Sequence, residues 1–290
     1  MDRLIPENAV VGAQLHASIA GKTISKAHLG QGKSYARATE TGFLRITPQQ
    51  FTNRLTGKKV RCAYGKGKWL FVEVVPNNLV LLLGESYGWL RFYRSQEDVL
   101  KDIDPLGQDY MSLQFGDDSC LVNRPQAWSQ MKVIPITKLP ETNYPNILGI
   151  SPHDRKEFTY AAFCAALDRF PTKKTRDVLI DQRQISGLNN PYLHDIFFRA
   201  RVHPKSKVQT LTATQRGDLH RSVLSVIIKA IKLGGREKEC DLFGVSGKFR
   251  PEIVKSMVGK PCPRCGTAIA RDKLVSAQLF LCPKCQELKK

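Results

Sequence analysis

The C-terminal end of this chain constrains it most. Cys262, Cys265, Cys282 and Cys285 form two C-x2-C pairs with 16 residues between them. Four thiolates at that spacing fit a tetrahedral metal site, and Zn2+ is the ion that suits sulfur ligation of this kind. Four protein ligands leave no position for substrate, so the expected ion is one structural zinc. The alternative, a pair of disulfides, belongs to oxidising compartments. It sits poorly with the other four cysteines. Cys62, Cys120, Cys164 and Cys240 are scattered through mixed or apolar settings and read as reduced core thiols.

The chain has 290 residues, room for two or three domains of roughly 100–150 residues each. Lys and Arg number 45 and Asp and Glu 26, a formal net charge of +19. Such an excess points to a polyanionic partner, either nucleic acid or an anionic membrane face. No segment approaches the roughly 20 apolar residues of a membrane span, and no membrane partner is expected. The start, Met1-Asp2-Arg3-Leu4-Ile5-Pro6-Glu7, lacks the basic-then-apolar order of a signal peptide. A cytoplasmic, nucleoid-associated monomer is expected.

Residues up to about 140 read as mostly β with one early helix. Ala9 to Ile19 has apolar residues at helical spacing. Short apolar runs follow at Val60–Ala63, Trp69–Val75, Leu79–Leu83, Trp89–Tyr93 and Met111–Phe115, each bounded by Gly, Asn, Pro or Asp. That is the pattern of a sandwich or barrel. Pro140 to Pro145 punctuates the chain. From about Asp154 the spacing turns helical, and Gly234-Gly235 caps the last long helix.

Between two of those helices lies Ile185-Ser186-Gly187-Leu188-Asn189-Asn190-Pro191-Tyr192. Gly and Asn suit a tight turn, and Pro191 suits the first turn of the next helix. Free amides at a helix N-terminus hold a phosphate, and the Asn190 side chain can add a donor. Lys173, Lys174, Arg176 and Arg183 lie nearby in sequence.

Here the chain resembles the formamidopyrimidine-DNA glycosylase / endonuclease VIII family. Asp181-Gln182, Ile185 through Asn190, Tyr192, Phe198-Arg199-Ala200 and His203-Pro204 are similar to its helix–two-turn–helix motif. Cys262-Pro263-Arg264-Cys265-Gly266-Thr267, Ile269 and Cys282-Pro283-Lys284-Cys285-Gln286 resemble its zinc finger. Pro6-Glu7 and Gly21-Lys22-Thr23-Ile24 match its opening helix and first strand. The resemblance implies an α+β multidomain fold. A β-sandwich with an early helix, the glycosylase-like catalytic domain, spans 1–140, and a linker spans 141–152. A helix–two-turn–helix DNA-binding domain spans 153–245, and a zinc-finger β-hairpin spans 246–290. It also implies double-stranded DNA, damaged or abasic, held in the cleft between domains, and DNA-repair glycosylase and lyase chemistry.

That chemistry needs an amine nucleophile at the sugar C1′, usually an N-terminal proline, and a neighbouring Glu as acid. In the register set by Pro6-Glu7 these two fall on Arg3 and Leu4, and neither can do the work. Glu7 takes the place of the family's second acid. The amines left are the α-amine of Met1 and Lys68, which takes the family's lysine position in Gly65-Lys66-Gly67-Lys68-Trp69-Leu70. The family's finger arginine falls on Ala277, leaving Arg271 and Lys273 to supply charge. Glu85 replaces the family's inserted Met, with Tyr87 or Trp89 as substitute wedges. Arg124 alone keeps the basic character of the void-filling loop. The DNA-binding set is therefore Asn189, Asn190, Lys68, Arg124, Arg271 and Lys273. Three functions stay open: a glycosylase or lyase with an altered nucleophile, a non-catalytic binder of damaged or abasic DNA, and an RNA-binding protein.

Overall fold

The computed structural model describes residues 5–40, 44, 46–84, 89–102, 111–124, 130–141, 148–273 and 278–288. Two compact units emerge. One runs from Glu7 to Asn146 and takes in Gly234–Gly247; the other joins Ile147–Leu233 to Lys248–Lys290. The sequence boundary at 245 therefore falls inside a segment that clusters with the first unit.

The first unit opens with α1 (Ile5–Ile19) and β1 (Ile24–Leu29), then α2 (Lys33–Glu40) and α3 (Pro48–Leu55). Strands β2 (Lys59–Lys66), β3 (Trp69–Val75), β4 (Leu79–Gly84) and β5 (Trp89–Tyr93) follow, then α4 (Gln96–Asp102). β6 (Met111–Phe115), β7 (Cys120–Arg124) and β8 (Gln130–Pro135) complete it. They form two antiparallel sheets, ordered β1-β6-β7-β5 and β2-β3-β4-β8. Side chains alternate across a strand, so Leu70, Val72 and Val74 of β3 and Leu79, Leu81 and Leu83 of β4 face one core. Leu113 and Phe115 of β6, Leu121 of β7 and Leu90 of β5 join the same core from the other sheet. This is the expected sandwich.

The single early helix is a correction: α2, α3 and α4 accompany α1. The start of α3 has a plain cause. Thr47 accepts from Gln50 N at 3.1 Å, the Gln50 side chain accepts from Thr47 N at 3.1 Å, and Pro48 follows the cap. That capping box satisfies two otherwise orphaned amides.

The second unit is helical: α5 (Tyr160–Asp168), α6 (Thr175–Ile180), α7 (Asn190–Ala200) and α8 (Ala213–Lys232). Its core gathers Phe163 and Leu167 of α5, Leu179 of α6, Ile196 and Phe197 of α7, and Val223 and Ile227 of α8. Ile5 belongs to this core too. Past Leu233 the chain turns at Gly234 (φ 73°) and Gly235 (φ 90°), left-handed angles that glycine adopts without a Cβ clash. The unit ends in a hairpin of β9 (Ala270–Lys273) and β10 (Gln278–Leu281). Among the described residues no helix is long and apolar enough to cross a membrane.

One buried carboxylate ties α7 to the chain leading into that hairpin. Asp195, 1 % exposed, accepts from Glu252 N at 2.9 Å and Ile253 N at 3.0 Å. Burial pushes its carboxyl up to about 6. A raised carboxyl contributes stability below the unfolded value of about 3.9 that is lost as pH rises through about 6. Asp195→Asn keeps an acceptor oxygen and removes the desolvated charge. The difference in unfolding free energy should move in the variant's favour between about pH 4 and 7, by up to about 3 kcal/mol. Urea unfolding midpoints at both pH values test this, and a pH-independent difference would contradict it.

Candidate nucleic-acid interface and zinc centre

The four metal-spaced cysteines converge in the second unit. Their Sγ atoms all lie within 4.8 Å of one another, with Cys262–Cys285 at 4.0 Å and Cys265–Cys282 at 3.5 Å. A disulfide needs sulfurs about 2 Å apart. Tetrahedral zinc with bonds of about 2.3 Å sets its sulfurs about 3.8 Å apart, so the donor set fits the ion. Two amides point at sulfur, Arg264 N to Cys262 and Cys285 N to Cys282, each at 3.4 Å. The four cysteines hold one structural zinc. The other thiols are free as expected, but only Cys120 is buried. Cys62, Cys164 and Cys240 are half-buried, a correction to their reading as core residues.

Two side chains fasten the finger to α7 and to the residues just after it, and the sequence reading missed what both do. Arg264 donates to Phe198 O at 3.0 Å and lays its guanidinium 4.5 Å from the Phe198 ring centroid. Gln286, fully buried, accepts from Cys282 N at 3.1 Å and donates to Val202 O at 3.1 Å. The finger's core is small: Phe198, Ile253 and Ile269 with the buried cysteines. On the hairpin, Arg271 is exposed opposite Phe280, and Lys273 ends β9 opposite Gln278. Ala277 lies outside the described residues.

The turn before α7 is built as the sequence suggests, and Gln182 holds it. Its amide donates to Ile180 O and Leu188 O at 3.0 Å each and accepts from Gly187 N at 2.5 Å. Gly187 has φ 75°, the left-handed angle this corner requires. Asn189 is the N-cap of α7, its Oδ1 accepting from Asn190 N at 2.6 Å. Asn190 is half-buried, and its Oδ1 accepts from Arg176 Nη2 at 2.8 Å. Arg176 is only 6 % exposed. With the oxygen taken by a buried guanidinium, the Asn190 amide turns its two Nδ2 donors away from Arg176. Beside them is the positive end of an 11-residue helix. Of the nearby cations, Arg183 pairs with Asp181 at 3.0 Å and Lys173 sits over the Phe170 ring.

In the first unit, Lys68 sits in the two-residue turn joining β2 to β3. Gly67 (φ 58°) closes that turn. The hairpin presses against α1, because Gly12 and Gly65 allow backbone to touch backbone. A Cβ on Gly12 would come within 2.3 Å of Gly65 N, and one on Gly65 within 2.1 Å of Asn8 O. Asn8 also donates to Gly67 O at 3.0 Å. Lys68 is thereby held, half-buried, beside the opening of α1. Glu7, 2 % exposed, accepts from Arg236 N at 3.0 Å and Nε at 3.3 Å. Arg236 also pairs with the buried Glu239 at 3.0 Å. Arg124 ends β7, exposed, opposite Trp89. Met1, Arg3, Leu4, Glu85 and Tyr87 lie outside the described residues.

Three family models match the chain in order. The formamidopyrimidine-DNA glycosylase N-terminal domain matches residues 5–124, the H2TH domain of the same glycosylase 148–240, and the zinc finger found in FPG and IleRS 259–288. The formamidopyrimidine-DNA glycosylase of Lactococcus lactis subsp. cremoris is 26 % identical over 285 residues, covering 98 % of each chain. That of Lactobacillus helveticus is 28 % identical over 290 residues, covering 99 % of each. In fold the chain is similar to Lactococcus lactis Fpg in complex with DNA containing an N7-benzyl-Fapy-dG. The TM-score is 0.80 at 22 % identity, covering 98 % of this chain and 99 % of that one. The same enzyme with abasic-site DNA gives 0.79 at 23 % identity, with the same coverage. With its N-terminal, helix–two-turn–helix and zinc-finger segments matched in sequence along nearly its whole length, this chain belongs to the formamidopyrimidine-DNA glycosylase / endonuclease VIII family.

Proposed function

We propose that the protein is a base-excision DNA-repair protein that binds damaged or abasic double-stranded DNA, acting as a cytoplasmic, nucleoid-associated monomer. Its DNA contacts come from Asn189 and Asn190 at the start of α7, from Lys68 and Arg124, and from Arg271 and Lys273 on the finger hairpin. The observation that carries this reading is the Asn190 amide. A buried arginine takes its oxygen and leaves its N–H donors for a partner. The expected free amides are a correction, because Asn190 N is held by Asn189 Oδ1, Tyr192 N and Leu193 N by Asn189 O, and Pro191 has no N–H. The Asn190 side chain is a preorganised phosphate seat, and the +19 charge supplies the long-range attraction. In this reading Arg3 and Leu4 stand in place of the nucleophile and acid. Imine chemistry at an abasic sugar is left to Lys68 or the α-amine of Met1.

Anisotropy titrations of a labelled abasic duplex test the binding. With about 4–8 phosphate contacts, log affinity should fall against log salt with a slope of roughly −4 to −7. Asn190→Ala should weaken binding by about 1–2 kcal/mol, the scale of a hydrogen bond to a charged group. A salt-independent affinity, or tighter binding to an RNA duplex, would overturn the reading.

A further inference from the structure

The edge of one sheet carries a second, unassigned site, wholly within the first unit. Strand β5 is that edge, and Phe92 N donates to Leu242 O at 3.1 Å, tying it to the 234–247 segment. There the chain makes a locked turn. Asp241 Oδ1 accepts from Phe243 N and Val245 N at 2.9 Å each, and Asp241 N donates to Val245 O at 2.9 Å. Gln14 of α1 clamps the turn from below, donating to Asp241 Oδ2 at 2.8 Å and accepting from Leu242 N at 3.0 Å. The tip of this turn holds Phe243 52 % exposed and Val245 60 % exposed. A single exposed apolar residue needs no explanation. Two on a clamped tip are different, because the tip cannot fold them away from water.

Phe243 forms one wall of a cavity of about 630 Å³, lined also by Trp89 and Tyr93 of β5, by Arg91 and Arg94, and by Asp98 of α4. Small-molecule sites run to roughly 300–1,000 Å³, so one nucleotide fits. Arg91 is committed to the protein. It donates to Leu90 O at 3.1 Å and Asp241 O at 3.0 Å, and lies 5.1 Å from the Trp89 ring centroid. Arg94 is exposed and makes no hydrogen bond or ion pair among the described residues, so it is the cation that can meet a phosphate. Asp98 offers a half-buried carboxylate; Lys101 Nζ lies 3.8 Å from it.

We propose that this pocket takes one unpaired base of a single DNA strand. The base stacks on the aromatic wall of Phe243, Tyr93 and Trp89, and its phosphate meets Arg94. Asp98 accepts from the exocyclic amine of cytosine or adenine, which thymine lacks. The site rests on the DNA-binding reading above but uses none of its residues.

Anisotropy with a labelled oligo(dC) octamer and, separately, a blunt duplex tests it on the full-length protein. Phe243→Ala should weaken octamer binding about 10–100-fold, the effect of one lost stacking contact, and leave duplex binding unchanged. Phe243→Trp should restore the octamer, and Arg94→Ala should weaken it. Oligo(dT) should bind less tightly than oligo(dC). Octamer binding unaltered by Phe243→Ala, or an equal loss on the octamer and the blunt duplex, would overturn the proposal. Equal affinity for oligo(dT) and oligo(dC) would remove Asp98 from it. Failure of the duplex arm alone would count against the repair function and leave the pocket standing.

Discussion

Removing the zinc is expected to unfold the finger and abolish tight DNA binding while leaving the sandwich intact. The reason is the size of the finger's own core. Phe198, Ile253 and Ile269, with Leu279 and Leu281 of β10, are its buried apolar side chains besides cysteine, and its only described sheet is the two-stranded β9–β10 pair. A core of that size cannot offset the entropy of ordering the segment. Zinc binding to such modules contributes roughly 10–16 kcal/mol at neutral pH, and that free energy is the folding free energy. Freshly purified protein should carry about one zinc per chain. Cys265→Ser, or chelation, should release it and expose the β9–β10 amides to hydrogen exchange. Amides of β3 and β4 should stay protected, because their core contains no finger residue. Gln286 and Arg264 should lose their hold on Val202 and Phe198 at the same time. Arg271 and Lys273 would then have no fixed place, so duplex affinity should drop steeply. Protein isolated without zinc, or a chelated sample whose hairpin amides remain protected, would contradict this.

How far the sequence can be read depends on how local the governing physics is. The zinc centre was legible because metal chemistry dictates residue type and spacing, whatever surrounds them. The start of α7 was legible because Asn189 and Pro191 are local cap signals. The strands β3 and β4 were legible as apolar runs bounded by turn residues. α3 carried a readable signal in Thr47-Pro48-Gln49-Gln50, a capping box that went unread. α2 carried little, since Lys33–Glu40 is mostly polar. Arg176 looks from sequence like one more solvated cation in a basic stretch. Only the fold shows it buried and aimed at Asn190, because that pairing depends on how α6 packs against the turn. The 234–247 segment is the extreme case. A single backbone bond from Phe92 to Leu242 and the Glu7–Arg236 contact join residues far apart in the chain, and no local pattern encodes them.

The largest expected effect is on chemistry. Single-turnover excision from an 8-oxoguanine duplex should run about 10²–10⁴-fold slower than for a family enzyme with the Pro-Glu opening. That factor is the usual yield of general acid–base catalysis, and the proposed register puts Leu4 where the acid belongs. Glu7 cannot take over the role. It is 2 % exposed, with its carboxylate engaged by both the backbone and side chain of Arg236. In the proposed reading Lys68 is the described amine left to form an imine, and it is held half-buried on a turn that packs against α1. An imine lyase acting on an abasic sugar asks for less than base excision does. It needs an amine near C1′ and a base to remove the C2′ proton, with no damaged base to expel. Abasic-site cleavage should therefore outlast base excision, and borohydride trapping on an abasic duplex should give a covalent adduct that weakens in Lys68→Ala. Lys68→Arg keeps the charge and the phosphate contact but cannot form the imine at neutral pH. It should retain duplex affinity and still lose the adduct. Base excision at an ordinary family rate would show that the Pro6-Glu7 register misplaces the nucleophile. An adduct unchanged in both variants would assign the amine to Met1.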